Sequence, residues 1–202
     1  MILALEMSSS SGSLAIGEGG RIVETRELRG TRHMAAFFSA LRALPLASLP
    51  IQTVIVGVGP GSFSSIRVSV AAAQAIAFAK GAHLRSLCSA WSLALRHPDV
   101  AQLGVFADAR RGELYGTLFS FGRLARPTFA FPKDELPTLV QSLDLAVSAE
   151  ELGPGLLRAF PRAEDFLRLE EDSSAFSEDP FPEPIDLRGP LAPAAGVLAR
   201  LP

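Results

Sequence analysis

The strongest constraint on the fold is a β-branched run that leads through a glycine-rich turn directly into a helical pattern. The strand pattern covers residues 53–58, and the helical pattern covers about 66–79. Glycines at alternate positions of the turn permit positive φ and close backbone approach, and serines such as Ser62 are common helix N-caps. A strand, turn and helix in this order are typical of α/β proteins, which place ligands at such turns.

Known phosphate and nucleophile motifs do not match this turn. A P-loop has Lys and then Ser or Thr after its last glycine, whereas Gly61 is followed by Ser62 and Phe63. A dinucleotide fingerprint needs G-x-G-x-x-G and an acidic residue about 20 positions later, and residues 80–83 read KGAH. A nucleophile elbow needs Gly-x-Ser-x-Gly. Gly59, Gly61 and Ser62 therefore remain only a candidate phosphate loop, and hydrolase chemistry is disfavoured.

The composition indicates a globular protein with a net charge of −2 and 48% hydrophobic residues in 202. That length suffices for one large or two small domains. The charge disfavours electrostatic binding of nucleic acid by the whole chain. Basic residues nonetheless prevail up to Arg111, which leaves open either a solvated surface or an RNA-facing patch. The sequence has no apolar run of membrane-spanning length and no basic leader, so we expect a cytoplasmic location and no membrane contact.

The order of predicted elements indicates the fold class. Strand patterns at 2–5, 13–16 and 21–28 precede a helix at about 32–44, the strand at 53–58 and the second helix. The order βββαβα, followed by more strands, is how actin-like and sugar-kinase-like domains begin, with a mixed sheet flanked by helices. We predict an N-terminal lobe over 1–100 and a smaller C-terminal lobe over 101–202 with a proline-rich, irregular tail.

Both predicted helices carry more apolar surface than one sheet can cover. The first has a stripe of Met34, Phe37, Phe38 and Leu41 on a background of alanines. The second directs Ile66 and Val70 toward the sheet and still has small apolar residues on its other faces. A helix that is apolar nearly all round is buried on more than one side. Either a partner protein or the C-terminal half of the chain covers the second side.

A charged segment between two strands forms a predicted hairpin turn at residues 108–115. Asp108, Arg110 and Glu113 are candidates for a local hydrogen-bonded charge network. They have neither a nearby histidine nor a paired carboxylate, so we predict a structural role and no catalytic residues here.

Three separated segments resemble one family, the TsaB (YeaZ) proteins. Residues 59–67 read GPGSFSSIR and resemble the family's GPGSFTGLR. Residues 108–115 read DARRGELY, similar to the family's DAR-x-x-E-V-Y, and residues 184–188 read PIDLR, similar to its closing P-x-Y-L-R. The order and approximate spacing agree, and the likeness is good over residues 1–125.

The resemblance implies a two-lobed actin-like ATPase fold of the ASKHA, ribonuclease H-like type, with the second lobe trimmed. It also implies a non-catalytic subunit of the complex that forms N6-threonylcarbamoyladenosine at position 37 of tRNA. Such a subunit docks a TsaD-like catalytic subunit through the two helices, joins a TsaE-like ATPase, and forms a homodimer in isolation through the same helices. It contacts tRNA only indirectly and binds no cofactor alone, while ATP binds within the complex. The expected partner interface comprises His33, Met34, Phe37, Phe38, Leu41, Arg67, Val70, Ala71 and Gln74.

Several positions depart from the family pattern. Glu6 and Met7 stand where the family has Asp and then Thr or Ser, and Ser65 replaces a glycine. His33 matches a family histidine, but Phe37 and Phe38 follow it instead of the second histidine of the catalytic relative's metal site, so we predict no metal.

Two other functions were weighed against the docking subunit. A nucleotide-dependent enzyme of the actin-like or sugar-kinase class would hold phosphate at Gly59–Ser62, with Glu6 and Asp108 as the candidate Mg²⁺ ligands. A peptidase would need a Ser/His/Asp arrangement or zinc ligands, which the sequence does not offer.

Overall fold

The computed structural model describes residues 1–28, 33–169 and 173–187, and it contains two five-stranded sheets. The first sheet has the order β3-β2-β1-β4-β5, with β1 at Ile2–Glu6, β2 at Gly12–Glu18, β3 at Arg21–Leu28, β4 at Thr53–Gly57 and β5 at His83–Leu87. Strands β1, β2 and β3 are antiparallel neighbours, whereas β4 and β5 run parallel to β1. This mixed sheet follows from two tight hairpins at the start and helical crossovers afterwards.

The second sheet repeats the topology of the first. Its order is β10-β9-β6-β7-β8, with β6 at Leu103–Arg110, β7 at Glu113–Ser120, β8 at Arg123–Pro132, β9 at Leu145–Ser148 and β10 at Leu157–Arg158. Strands β6, β7 and β8 are antiparallel, and β9 and β10 run parallel to β6. Two lobes with equivalent strand orders are therefore present, as the actin-like fold requires.

The helices differ between the lobes. Helix α1 spans His33–Ala43 and α2 spans Phe63–Lys80, while α3 (Ala90–Leu95), α4 (Leu136–Gln141) and α5 (Ala163–Phe166) are short. An 18-residue α2 connects β4 to β5 in the first lobe, whereas turns and bends at 149–156 connect β9 to β10 in the second. The second lobe is the smaller one for this reason.

The first sheet is covered on both faces. Leu3 and Leu5 of β1 pack in one cluster with residues of α1 and α2, such as Phe37 and Ile66. Ala4, between them, joins a cluster on the other face with residues of α5. Since successive strand residues point to opposite faces, α1 and α2 lie on one side of the sheet and α5 on the other. The outer sides of α1 and α2 thus face the same direction.

The two lobes meet around Trp91 and Asp165. The Trp91 ring packs edge-to-face on Phe119, with 5.1 Å between centroids, and contacts both the α3 cluster and the α5 cluster. The buried carboxylate of Asp165 accepts a hydrogen bond from Ser92 Oγ at 2.7 Å and lies 3.0 Å from Arg96 Nε. Burial lowers the pKa of Arg96, and the nearby Asp165 carboxylate opposes that shift. The contacts of Asp165 with Ser92 and Arg96 therefore connect α5 to α3.

The predicted order βββαβα and the hairpin at 108–115 are confirmed. Helix α2 begins at Phe63, three residues before the predicted start. The predicted boundary near residue 100 separates the two sheets, but α5 and later residues such as Phe176, Ser177 and Ile185 contact the first lobe. The C-terminal part is therefore not wholly part of the second lobe. Across the described ranges, no helix combines the length and hydropathy needed to cross a membrane.

Candidate functional site

The apolar stripe predicted on α1 divides between core and surface. Phe37 is fully buried and Leu41 nearly so, whereas Met34 is 40% exposed and Phe38 is 50% exposed. His33 begins α1, and its side chain lies outside what the structure describes. Met34 and Phe38 therefore form the accessible part of the predicted interface, and Phe37 and Leu41 support it from below.

Helix α2 presents a second accessible stripe on the same side of the sheet. Phe63, Arg67, Ala71, Gln74 and Phe78 recur every three or four residues, so they share one helix face. Phe78 is 91% exposed, and the Arg67 guanidinium lies 5.6 Å from the centroid of the Phe63 ring.

Val70 corrects the predicted interface. Its side chain is buried in the core of the first lobe, because it faces the sheet. Of the α2 residues predicted for the interface, Arg67 and Ala71 are exposed and Gln74 is half-buried. Phe63 and Phe78 were not predicted as interface residues, although their spacing from Arg67 and Gln74 placed them on the same face.

A segment that we call the strap, residues 177–187, runs beside α2. Ser177 and Ser86 exchange backbone hydrogen bonds at 2.9 and 2.8 Å, and Gln74 Nε2 donates to Pro180 O at 3.3 Å. Further along, Ile185 N donates to Val58 O at 2.8 Å. The strap thus borders α2 without covering its exposed stripe, and among the residues that the structure describes this surface is open.

Two hollows lie between α2 and the strap. One of about 510 Å³ is lined by Phe63, Arg67 and Ala71 on α2 and by residues 182–184 and Asp186 on the strap. The other, about 590 Å³, is lined by Phe78 and by Pro180 and Phe181 of the strap. Gln74 lines both hollows, so they adjoin each other at this side chain, and we call the two hollows together the groove.

A cleft of about 470 Å³ lies between the two lobes. Its walls are the β1–β2 turn at 8–10, the start of α2 at 61–64, residues 108–110, Tyr115, Glu150 and Ile185. Ser62 is the N-cap of α2, but its Oγ lies 2.8 Å from Ser65 Oγ and makes no side-chain bond to a helix amide. Unbonded amides at a helix N-terminus favour anions, and Arg110 adds positive charge to this cleft.

The glycines of the candidate phosphate loop have a structural role as well. Gly61 has a φ of 151°, and a Cβ there would overlap the carbonyl oxygen of Ser8. Ser62 N donates to that same oxygen at 2.7 Å. Gly59 exchanges hydrogen bonds with Ser89, with its N–H 3.0 Å from Ser89 Oγ. Close packing of the loop on the β1–β2 turn therefore demands glycine whether or not a ligand binds.

Glu6 is buried beneath this loop. Its Oε1 accepts a hydrogen bond from Ser8 N at 2.5 Å, while Oε2 has no hydrogen-bond partner. A Cβ at Gly57 would overlap Oε2, which shows how closely the β4 backbone approaches the carboxyl. Burial raises the pKa of Glu6 above its ordinary value, and hydrogen bonding from Ser8 partly opposes the shift. Glu6 is fully enclosed in the first lobe, so its carboxyl is not a surface ligand of the cleft.

The charge network predicted at Asp108, Arg110 and Glu113 also includes Glu150 in the structure. Arg110 Nη1 lies 3.1 Å from Asp108 Oδ2, and Arg110 N donates to Asp108 Oδ1 at 2.7 Å. Asp108 N donates in turn to Glu150 Oε2 at 2.6 Å, and burial raises the pKa of Glu150. Glu113 lies opposite Arg110 across the hairpin. Glu150, 42 residues from Asp108, had no local sequence signal.

The residues that the structure describes contain no group of three or more His, Cys, Asp or Glu side chains that could hold a metal ion. The cleft offers a helix N-terminus, serines and an arginine, whereas the groove offers aromatic and aliphatic surface. Fold and site together define an actin-like α/β protein with an open apolar helix face beside an inter-lobe cleft.

Comparisons with known proteins agree with this class. Residues 31–124 match the family model of TsaD, tRNA N6-adenosine threonylcarbamoyltransferase. TsaB of Bacillus subtilis, described as a tRNA threonylcarbamoyladenosine biosynthesis protein, is 27% identical over 127 residues, which are 59% of this chain and 55% of that protein. An uncharacterized protein of Mycobacterium leprae is 35% identical over 99 residues, which are 48% of this chain and 27% of that protein. The chain thus spans about half, or less, of these two relatives.

Two solved structures share the fold. YeaZ from Pseudomonas aeruginosa superposes with a TM-score of 0.66 at 22% identity, covering 82% of this chain and 88% of that chain. A second structure, described as similar to peptidase YeaZ from Pseudomonas aeruginosa, gives a TM-score of 0.67 at 22% identity and covers 93% of this chain and 99% of that chain. The sequence matches thus show similarity to proteins of tRNA threonylcarbamoyladenosine formation over about half of the chain, and the two structures share its fold.

Proposed function

We propose that this protein is a non-catalytic docking subunit of the complex that forms N6-threonylcarbamoyladenosine at position 37 of tRNA. It docks a TsaD-like catalytic subunit on the outer face of α1 and α2. The observation that carries the proposal is the exposure of four apolar side chains, Met34, Phe38, Phe63 and Phe78, on two helices that cover the same face of the first sheet.

The physical basis of docking is burial of these side chains. Contiguous exposed apolar surface is unusual on a monomer and marks interaction sites, and large aromatic anchors contribute most to interface energies. Arg67 and Gln74 lie between Phe63 and Phe78 on α2 and supply polar groups that orient the partner. A second copy of the chain would bury the same surface, so a homodimer competes with the heterodimer.

The proposal includes the other components of the complex and its location. A TsaE-like ATPase joins the pair, ATP binds within the complex, tRNA contacts this subunit only indirectly, and the complex acts in the cytoplasm. A non-catalytic role is supported by the engagement of the acidic groups near the cleft. Asp108 pairs with Arg110, Glu150 accepts the Asp108 amide, and Glu6 is enclosed in the first lobe.

Substitution of Phe38 tests the proposal. Phe38→Glu places a charge at the centre of the apolar face and leaves the buried neighbour Phe37 unchanged. We expect affinity for the TsaD-like protein of the same genome, measured by isothermal titration calorimetry, to fall about a hundredfold. The matched control is Phe121→Glu, because Phe121 is also exposed but lies between β7 and β8. Unaltered binding by the Phe38 variant would remove the proposal's main support.

Nucleotide binding by the chain alone is the second candidate, and the open N-terminus of α2 at the cleft favours it. A phosphate could approach Ser62 and Arg110, which line the same cleft. Titration with Mg-ATP distinguishes the two functions. Micromolar binding by the isolated chain would favour an enzyme of the actin-like or sugar-kinase class. Heat of binding only in the presence of the TsaD-like protein favours the docking subunit.

A further inference from the structure

We infer that Tyr115 and Asp186 form a positioning pair that fixes the strap as the second wall of the docking groove. The pair makes partner binding on α2 depend on a contact with the second lobe. This inference rests on the proposed function, and its occupant is the same TsaD-like partner. Beyond the proposed function, the inference states that the strap and Tyr115 of the second sheet also determine how tightly the partner binds.

The pair joins two lobes and two motifs. Tyr115 lies on β7 of the second sheet, is 3% exposed, and donates through Oη to Asp186 Oδ1 at 2.9 Å across 71 residues of sequence. Tyr115 belongs to the segment DARRGELY and Asp186 to the segment PIDLR. Asp186 stands at the position where P-x-Y-L-R has tyrosine, so an acidic acceptor for the Tyr115 hydroxyl is a feature of this chain.

The remaining strap contacts described above lead to the first lobe. They are the Ser177–Ser86 pair, the Gln74 contact with Pro180 O, and the Ile185 contact with Val58 O. Pro182 and Pro184 fix two φ angles just before Ile185. Because residues 182–185 are stiffened by the two prolines and Ile185 N is bonded to Val58 O, the backbone of this part of the strap has little conformational freedom. The side-chain bond to Tyr115 then connects the strap at Asp186 to the second lobe.

The position of the strap determines the wall of the groove that faces α2. Asp186 and Glu183 line the hollow opposite Arg67, so the groove carries acidic groups on one wall and a guanidinium on the other. This arrangement suits a partner surface with an apolar centre and polar groups of both signs at its edges. The groove is continuous with the exposed stripe of α2 through Gln74. A partner seated on Phe63 and Phe78 therefore contacts the strap as well.

Tyr115 acts through Asp186 and not by direct contact. Its ring is buried and its hydroxyl faces the strap, so a partner on α2 meets Asp186 instead. Tyr115 and Ile185 also line the inter-lobe cleft. A change in the relative position of the lobes would therefore move the strap wall through this pair.

A double-mutant cycle on docking tests the inference. Tyr115→Phe removes only the hydroxyl, Asp186→Ala removes the acceptor, and Asp186→Asn retains an acceptor oxygen. We expect each of the first two variants to raise the Kd for the TsaD-like protein about fivefold, as for loss of one hydrogen bond. The double variant should be no weaker than either single one, and Asp186→Asn should stay within about twofold of the wild type. Additive effects, or wild-type affinity in both single variants, would overturn the inference.

A second measurement separates positioning from general destabilisation. Amide hydrogen exchange is compared between the free wild-type protein and free Tyr115→Phe. Exchange at residues 185–187 should be faster in the variant, and exchange in β1 and β4 should be the same in both proteins. Equal exchange at the strap in both proteins would contradict the pair. The Phe38→Glu variant distinguishes the two levels of proposal. Lost docking there, with unaltered docking in Tyr115→Phe, rejects the positioning pair alone, whereas unaltered docking in Phe38→Glu rejects the docking function itself.

Discussion

Phe37 and Phe38 are adjacent in α1 and contact each other edge-to-face, with 5.4 Å between ring centroids, yet they belong to different environments. Phe37 is fully buried against the first sheet, and Phe38 is 50% exposed on the outer face. One helix turn thus contributes to both the core and the candidate docking surface.

Alanine substitutions at these two positions should separate stability from docking. Phe37→Ala should lower the free energy of unfolding by about 3–5 kcal/mol, because it leaves a cavity in the core. Phe38→Ala should change it by less than about 1 kcal/mol and should weaken docking instead. Urea denaturation of both variants checks the first statement, and calorimetric titration with the TsaD-like protein checks the second. Equal loss of stability in both would contradict the assignment of Phe38 to the surface.

The apolar pattern of α1 predicted the helix and its excess of hydrophobic surface. It could not predict which residues of the stripe are buried against the sheet and which are exposed. Met34, Phe37, Phe38 and Leu41 all fit one face at helical spacing. Which of them face the sheet depends on the rotation of α1 over β2 and β3, and that rotation is set by tertiary packing. On α2, the helical pattern directed Val70 toward the sheet, as observed, and only the interface implied by the family resemblance included it.

Local patterns predicted the order of helices and strands along the first lobe, βββαβα, since hairpin turns and crossover helices leave clear signals. The groove had no such signal. The strap approaches α2 from more than 100 positions away, as the Gln74–Pro180 bond illustrates with a separation of 106 residues. Contacts such as Asp108 with Glu150 likewise join distant segments, and a single sequence carries no information on which distant polar groups meet.

Replacement of Gly61 by alanine should test whether packing or ligand binding explains this glycine. A Cβ at Gly61 would overlap Ser8 O at a φ of 151°, and we expect a loss of about 2–4 kcal/mol in the free energy of unfolding. Gly20→Ala is the matched control, since Gly20 also has a positive φ but has open space around it. That control should cost about 1–2 kcal/mol. Equal effects in thermal unfolding would show that the overlap with Ser8 contributes nothing.

Glu6 should make stability depend on pH. Its folded pKa is raised above the ordinary value of 4.5 by burial. Between the unfolded and folded pKa values the folded protein holds a proton that the unfolded chain has lost. The free energy of unfolding should therefore fall as pH rises through that window.

Substitution of Glu6 by glutamine removes this titration and keeps an oxygen that can accept the hydrogen bond from Ser8 N. The stability of Glu6→Gln relative to the wild type should rise from pH 4.5 upward and level off above the folded pKa of Glu6. Glu18→Gln, at the exposed end of β2, is the control. Urea denaturation at a series of pH values checks this result, and parallel profiles for the Glu6 variant and the wild type would contradict it.

Asp165 should be the most sensitive charged residue at the junction of the lobes. Its carboxylate is 1% exposed and contacts Ser92 Oγ and Arg96 Nε, while Arg96 also donates from Nη2 to Phe160 O at 2.5 Å. Asp165→Ala removes the carboxylate that neutralises the partly buried Arg96 guanidinium and leaves the buried Ser92 hydroxyl without its acceptor. We expect a loss of about 2–3 kcal/mol in the free energy of unfolding, below the range for a fully buried pair because Arg96 retains some solvent contact.

The neighbouring Glu164 provides the control for this junction. Glu164 Oε1 lies 3.5 Å from Arg162 Nη1 at the partly exposed edge of α5, so Glu164→Ala should cost no more than about 1 kcal/mol. Chemical denaturation monitored by Trp91 fluorescence reports on both variants, because Trp91 is the chain's one tryptophan and packs where α3 and α5 meet. Since Asp165 links α3 to α5, its loss should also broaden the unfolding transition or divide it into two steps. A wild-type midpoint and slope in Asp165→Ala would contradict this role of Asp165 at the junction of the lobes.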